Sequence, residues 1–167
     1  MATAEIARRI GISSPEIFNA FPRCSGSQGL TVRDAIATGF DGVFTYRKPT
    51  PEQATRVESL LECLGPMAWS ENRDPSITAR FGGRLFADLT PGEQSLVILL
   101  RALVTNPKLL ILDEAFSGMD KRMADVVTRY LRQHIGEKQS IVWISHWDAE
   151  APWGVKDGVQ IYTLEGR

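Results

Sequence analysis

The clearest hydrophobic pattern consists of two short, continuous aliphatic runs in the second half of the chain. The first, KLLILDE, ends in Asp113 and Glu114, and the second, QSIVWISH, ends in Ser145 and His146. Uninterrupted aliphatic strands are typical of parallel sheets that are covered on both faces. The pattern therefore predicts two buried parallel strands, each with polar side chains at its carboxyl end.

Helical periodicity dominates the segment before these strands. In TPEQATRVESLLECLG, Thr50 is the predicted N-cap, Pro51 is the first helical residue, and apolar residues follow at helical spacing. Thr31 followed by Asp34 predicts a shorter helix that begins with a capping box. A third helix, apolar on nearly all sides and therefore buried, is predicted from about Gly92 to Thr105.

Three further elements complete the predicted order. IARRIGISS (6–14) reads as a strand, MADVVTRYLRQHI (123–135) as an amphipathic helix, and GVQIYTLEG (158–166) as a last strand at the sheet edge. Strands that alternate with helices are typical of α/β folds, in which helices pack on a mostly parallel sheet. We therefore predict an α/β fold.

The nearly equal numbers of basic and acidic residues argue against a protein whose main partner is nucleic acid. Nineteen Lys and Arg face twenty Asp and Glu, a net charge of -1, which gives no electrostatic reason to expect nucleic acid as a partner. The two cysteines lack the spacing of a metal or redox motif, which indicates reduced thiols. No apolar run approaches the roughly 20 residues that span a bilayer. We expect a location in the cytoplasm or in an organelle interior such as the mitochondrion.

The polar residues after the two aliphatic strands suit phosphate chemistry. The carboxyl ends of parallel strands meet at one edge of a sheet, where α/β proteins bind their ligands. There Asp113 suits Mg²⁺, Glu114 suits the activation of a water, and His146 suits donation to a phosphoryl oxygen. Simpler interpretations stay open: an acidic pair after a strand can cap a helix, and a histidine that closes a strand can belong to the core or a loop.

Five segments, in order, resemble the C-terminal half of an ATP-binding cassette (ABC) ATPase. LTPGE resembles the signature LSGGQ, and RAL follows it at the family spacing; LLILDE resembles Walker B, SGMD resembles the D-loop, and ISH matches the H-loop. The resemblance implies a partial P-loop NTPase core of three layers, formed by residues 1–30 and 107–167. Residues 31–106 would form the helical subdomain of the family.

The same resemblance implies a set of partners and site residues. In the family, two domains pair head to tail, as homodimers or heterodimers, and enclose ATP and Mg²⁺ between the P-loop of one domain and the signature of the other. A membrane-protein partner is possible. By resemblance, Glu114 and His146 are catalytic and Asp113 binds the metal. The residues implied to contact ATP are Leu89, Thr90, Pro91, Gly92, Glu93 and Asp120.

The chain also departs from the family pattern. Pro91 replaces a glycine and removes one backbone N–H from the signature, Glu93 replaces glutamine and adds a negative charge, and Pro15 stands where the Q-loop has glutamine. No G-x-x-x-x-G-K-[ST] occurs in the 167 residues, so the resemblance covers about the latter two-thirds of a complete domain. TVRDAIATGF adds a resemblance to the molybdate-transport ATP-binding type.

These observations lead to two functional hypotheses. The first is the C-terminal portion of an ABC-type ATPase, with a possible link to transport, that does not hydrolyse ATP without a P-loop. The second is a non-catalytic ABC-like module that pairs with a P-loop-bearing partner. Because both aliphatic strands need neighbours on each face, we also expect the isolated chain to be marginally stable or prone to aggregation.

Overall fold

Three parallel strands form a single sheet in the computed structural model, which describes residues 9–136, 138–146 and 151–162. The strands lie in chain order across the sheet, with β2 in the centre. They are β1 (Ile10–Ser13), β2 (Leu109–Asp113) and β3 (Ser140–Ile144). In the register, Ile111 of β2 lies between Ile12 of β1 and Val142 of β3. The predicted parallel α/β arrangement is confirmed.

Seven α-helices occur in the described part of the chain, six of them between β1 and β2. They are α1 (Pro15–Ala20), α2 (Val32–Ala37), α3 (Pro51–Leu64), α4 (Pro66–Trp69), α5 (Ile77–Gly83), α6 (Pro91–Leu103) and α7 (Lys121–His134). The helical segment predicted before the aliphatic strands is therefore present, and the helices at 51–64, 91–103 and 121–134 lie within about three residues of their predicted bounds.

The starts of three helices follow from their local sequences. Thr31, Thr50 and Thr90 each accept a hydrogen bond from the amide three residues later, and the side chain at that later position accepts from the threonine amide. Such reciprocal bonds satisfy amides that have no partner inside a helix. The predicted caps at Thr31 and Thr50 are confirmed.

Helix α6 packs directly on β1. Its side chains from Gln94 to Leu103 are all buried, as the nearly all-apolar sequence predicts. A Cβ added to Gly11 of β1 would lie 2.2 Å from the Ala102 carbonyl oxygen, so only glycine permits this approach. The helix that begins at the signature is therefore fixed against the sheet.

The two faces of the sheet differ sharply. Leu110 and Leu112 are fully buried against the helices, whereas Ile12, Val142 and Ile144, which point to the opposite face, are 36%, 46% and 46% exposed. The described residues thus cover one face and leave the other largely open. Of the three layers expected from the resemblance, the described part of the chain supplies the sheet and one helical layer.

The predicted strand at 158–166 is wrong over the residues that the structure describes. Residues 158–162 form no strand, and Val159, Ile161 and Tyr162 are 38%, 56% and 80% exposed. Alternation alone suggested a strand here, but these residues pair with no neighbouring strand. Residues 163–166 lie outside the described residues, as do residues 6–8 of the first predicted strand. Among the described residues, no helix is both long and apolar enough to cross a membrane.

Candidate nucleotide site

The carboxyl edge of the sheet brings Asp113, Glu114 and His146 together. Asp113 ends β2, and the Glu114 amide donates a 2.9 Å hydrogen bond to the Ile144 carbonyl at the end of β3. Glu114 has a φ of 47°, a left-handed conformation that costs a non-glycine residue about 1–3 kcal/mol. The neighbouring strand therefore holds the Glu114 backbone in a sparsely populated conformation at the edge where the site was predicted.

Glu114 and His146 are in direct contact. Oε1 of Glu114 lies 2.7 Å from Nε2 of His146, and the two side chains are 36% and 83% exposed. A carboxylate at this distance accepts a hydrogen bond from the imidazole. The contact leaves the imidazole largely open to solvent, so both side chains can reach a bound ligand.

Asp113 lies in a crowded acidic environment. Burial raises the pKa of Asp113, and the carboxylates of Glu16 and Glu114 raise it further, whereas His146 lowers it. Oxygen donors in such a setting favour a hard cation, because the cation relieves the repulsion between the carboxylates. The structure describes no group of three or more residues able to hold a metal, and Mg²⁺ needs only one or two protein carboxylates beside phosphate and water.

The signature-like segment forms the N-terminus of α6. Thr90 is the N-cap, Pro91 is the first helical residue, and Leu89 is buried behind them. The Glu93 carboxylate accepts from the Thr90 amide at 2.8 Å and from the Thr90 hydroxyl at 3.1 Å. It also forms a 2.8 Å ion pair with Arg84. The negative charge that the sequence adds to this turn is therefore paired inside the chain.

The turn also packs against the segment SGMD. A Cβ added to Gly92 would lie 2.2 Å from the Gly118 carbonyl oxygen, and Gly118 has a φ of 75°. At the end of the same segment, Asp120 accepts a 2.8 Å hydrogen bond from the Met123 amide and caps α7. The structure thus brings Gly92 against the segment that ends in Asp120, and Asp120 rather than Asp113 or Glu114 caps the helix.

Two charged residues near these clusters were missed in the sequence. Arg84 follows α5 and reaches Glu93 nine positions later. Glu16 lies in the first turn of α1, directly after β1, where its charge acts on Asp113. The one signal near Glu16 was Pro15, which the resemblance places at the Q-loop position, and no local pattern indicated Arg84.

Comparison with known proteins identifies the family. A family model described as ABC transporter matches residues 8–117. The chain belongs to this family. It is similar to the ABC transporter ATP-binding protein ModF of Escherichia coli, with 32% identity over 124 residues. It is also similar to the uncharacterized ABC transporter ATP-binding protein C323.04 of Schizosaccharomyces pombe, with 28% identity over 148 residues.

These alignments take in most of this chain but a small part of each relative. They cover 73% of the chain and 23% of ModF, and 89% of the chain and 27% of C323.04. Among solved structures, the chain resembles MJ0796, described as a dimeric bacterial ABC transporter cassette, with a TM-score of 0.57 and 21% identity over 90% of this chain and 60% of that one. The last likeness supports the ABC-type α/β fold.

Proposed function

We propose that the chain supplies the Walker B, signature and H-loop surfaces of an ABC-type ATP site, which hydrolyses ATP once a P-loop completes it. The observation that carries the proposal is the 2.7 Å contact between Glu114 and His146, next to Asp113 at the carboxyl edge of the sheet. These three side chains are of the types that phosphoryl transfer needs: a carboxylate suited to act as general base, an imidazole suited to donate to phosphate and a carboxylate suited to bind a metal.

Each of the three edge residues takes one role in this proposal. Asp113 would hold Mg²⁺, Glu114 would orient and deprotonate the attacking water, and His146 would donate to the terminal phosphate. Bound Mg²⁺ would neutralise charge on the phosphate oxygens. Because Nε2 of His146 lies 2.7 Å from Oε1 of Glu114, the proposed donor to phosphate is directly beside the proposed base.

The signature turn (Leu89 to Glu93) and Asp120 would contact a second ATP molecule, not the one that Asp113, Glu114 and His146 serve. Leu89, Thr90, Pro91, Gly92 and Glu93 would face ATP held by the P-loop of a second ABC domain, with Asp120 at the same interface. The positive end of the α6 dipole favours an anion at this turn. The head-to-tail arrangement is carried over from the family resemblance, and the helical residues 31–106 would form the subdomain that presents the turn.

The base is tested in cis, because Asp113, Glu114 and His146 serve the P-loop of their own domain. The chain is joined behind a P-loop-bearing segment from an ABC cassette of the same fold, and phosphate release from Mg-ATP is measured. Glu114→Gln is expected to lower turnover by about 10²–10⁴-fold, the loss typical of a general base. Glu62→Gln, a change of an exposed glutamate on α3, is the matched control and should leave turnover unchanged.

A Glu114→Gln variant that hydrolyses ATP as fast as the unchanged fusion would refute the assignment of the base. A fusion that folds and pairs but shows no turnover would favour the second candidate function, a non-catalytic module. Pro91, which removes a backbone donor from the signature turn, is the observation that favours this second candidate. In that case ATP-dependent pairing should survive Glu114→Gln.

A link to transport is part of the proposal. The relatives are named as ATP-binding proteins of ABC transporters, which supports a membrane-protein partner. Co-purification of the chain with a membrane-embedded subunit, lost when the head-to-tail pair is disrupted, would test this link.

A further inference from the structure

The last position of the signature turn carries a charge that conflicts with its proposed ligand. Glu93 has a carboxylate in the first turn of α6, and its side chain is only 13% exposed. A phosphate of ATP near this turn would meet a like charge, and like charges placed together at an interface cost several kcal/mol. A turn that receives phosphate therefore needs a compensating cation close by.

Arg84 occupies the position that such a cation needs. Its Nη1 donates to Oε1 of Glu93 at 2.8 Å, and its Nη2 donates to the Asp88 carbonyl oxygen at 2.8 Å. One guanidinium thus links the end of α5, the residue before the turn and the carboxylate inside the turn. Arginine suits this task because its planar group donates in two directions and keeps its charge.

Both oxygens of the Glu93 carboxylate accept hydrogen bonds, one oxygen from the turn and the other from Arg84. Oε2 of Glu93 accepts from the Thr90 amide and hydroxyl, while Oε1 accepts from Arg84. The carboxylate is therefore held against the helix start, and the guanidinium balances its charge.

We infer that Arg84 is a positioning residue of the signature turn, which neutralises Glu93 and thereby keeps the turn compatible with a phosphate of ATP. The inference rests on the proposed function and deepens it. The family signature ends in a neutral glutamine, where this chain has the charged Glu93. Arg84 and Glu93 are therefore interdependent: together they restore a neutral end to the turn. It follows that loss of Arg84 is harmful only while Glu93 keeps its charge.

ATP-dependent pairing of the chain with an ABC cassette that carries an intact P-loop tests the pair. The dissociation constant is measured by light scattering and fluorescence anisotropy in Mg-ATP. Arg84→Gln is expected to weaken pairing about tenfold or more, because the carboxylate is left unbalanced near phosphate. The double variant Arg84→Gln with Glu93→Gln should recover to within about threefold of the unchanged chain.

Arg80→Gln is the matched control. Arg80 lies on α5, four residues before Arg84, and forms a 2.8 Å ion pair with Asp74 rather than with the turn, so its loss should leave pairing unchanged. The inference is overturned if Arg84→Gln pairs as well as Arg80→Gln, or if the double variant is as weak as Arg84→Gln. The latter result would mean that Arg84 acts only by supporting the fold.

A second measurement tests the role of Arg84 even if the proposed pairing does not occur. If the unchanged chain does not pair in Mg-ATP, the pairing proposal fails, and sodium triphosphate is added to the chain alone in a thermal melt. A rise in Tm of roughly 2 °C or more at 10 mM, lost in Arg84→Gln and regained in the double variant, would support Arg84. No rise in the unchanged chain, or an equal rise in Arg84→Gln, would overturn the inference.

Discussion

The two faces of one three-stranded sheet show how differently the same strands can be used. On the covered face, Gly11 of β1 and Leu110 and Leu112 of β2 are buried beneath the helices. On the open face, Ile12, Val142 and Ile144 remain more than one-third exposed. Side chains alternate along each strand, so adjacent residues such as Gly11 and Ile12 differ completely in surroundings.

The difference shows where the stability of the described structure comes from. Apolar residues on the covered face contribute through packing with α6, whereas those on the open face remain partly in contact with water. Asp113 lies at the end of the open face, in register with Ile144. A segment that covers this face would therefore meet aliphatic side chains along its length and a carboxylate at one end.

The largest effect is expected from a cavity on the covered face. Leu112→Ala should lower the free energy of unfolding by about 2–5 kcal/mol, because Leu112 is fully buried and its removal leaves a cavity. Ile144→Ala on the open face is the control and should cost about 1 kcal/mol or less. Urea denaturation followed by tryptophan fluorescence measures both, and equal losses would show that the two faces do not differ in packing.

The next largest effect is expected where β1 and α6 approach each other most closely, at Gly11. Gly11→Ala places a Cβ 2.2 Å from the Ala102 carbonyl oxygen, so the backbone must shift at a cost of about 1–3 kcal/mol. Gly136→Ala, where a Cβ meets no atom within 4 Å, is the matched control and should be nearly neutral. A Gly11→Ala variant with unchanged urea midpoint would mean that α6 lies further from β1.

A charge on the open face should change association more than stability. Val142→Lys replaces a side chain that is 46% exposed, and its free energy of unfolding should stay within about 0.5 kcal/mol. Aggregation on warming should fall, because the charge interrupts the row formed by Ile12, Ile111 and Val142. Light scattering during a thermal melt records this. Unchanged light scattering would mean that the chains do not aggregate through the open face of the sheet.

The smallest effect concerns pH. The pKa of Asp113 is raised in the folded state, so the folded chain holds this proton more strongly than the unfolded chain and loses stability as pH rises through the raised pKa. Asp113→Asn should remove that loss. We compare the free energy of unfolding of Asp113→Asn with that of the unchanged chain. The difference should favour Asp113→Asn more at pH 7 than at a pH below 3.8, the ordinary pKa of the aspartate side chain. Urea midpoints at several pH values test this, and a difference independent of pH would contradict it.

The sequence predicted the elements whose signals are local. Thr50 with Pro51 marked the start of α3, and the aliphatic runs before Asp113 and Ser145 marked β2 and β3, because capping and hydrophobic continuity depend on adjacent residues. The expected meeting of Glu114 with His146 followed from parallel strands that share an edge. The roles of the site residues stay predictions.

Contacts between residues that are distant in the sequence could not be predicted from local patterns. Arg84 and Glu93 come together because α5 ends beside the start of α6, and nothing in either local sequence signals that approach. The strand predicted at 158–166 failed for the opposite reason. Its alternating pattern is local, but a strand also needs a partner edge, and the described residues 158–162 have none.

The contact between Gly92 and Gly118 ties the signature turn to the loop that leads into α7. No side chain separates the two backbones, so there is no flexible group to absorb a displacement of one against the other. A displacement of the signature turn toward this loop would meet Gly118 directly, and Asp120, two residues further on, caps α7. We therefore expect a change in the position of the signature turn to be felt at the start of α7, because the two backbones already touch.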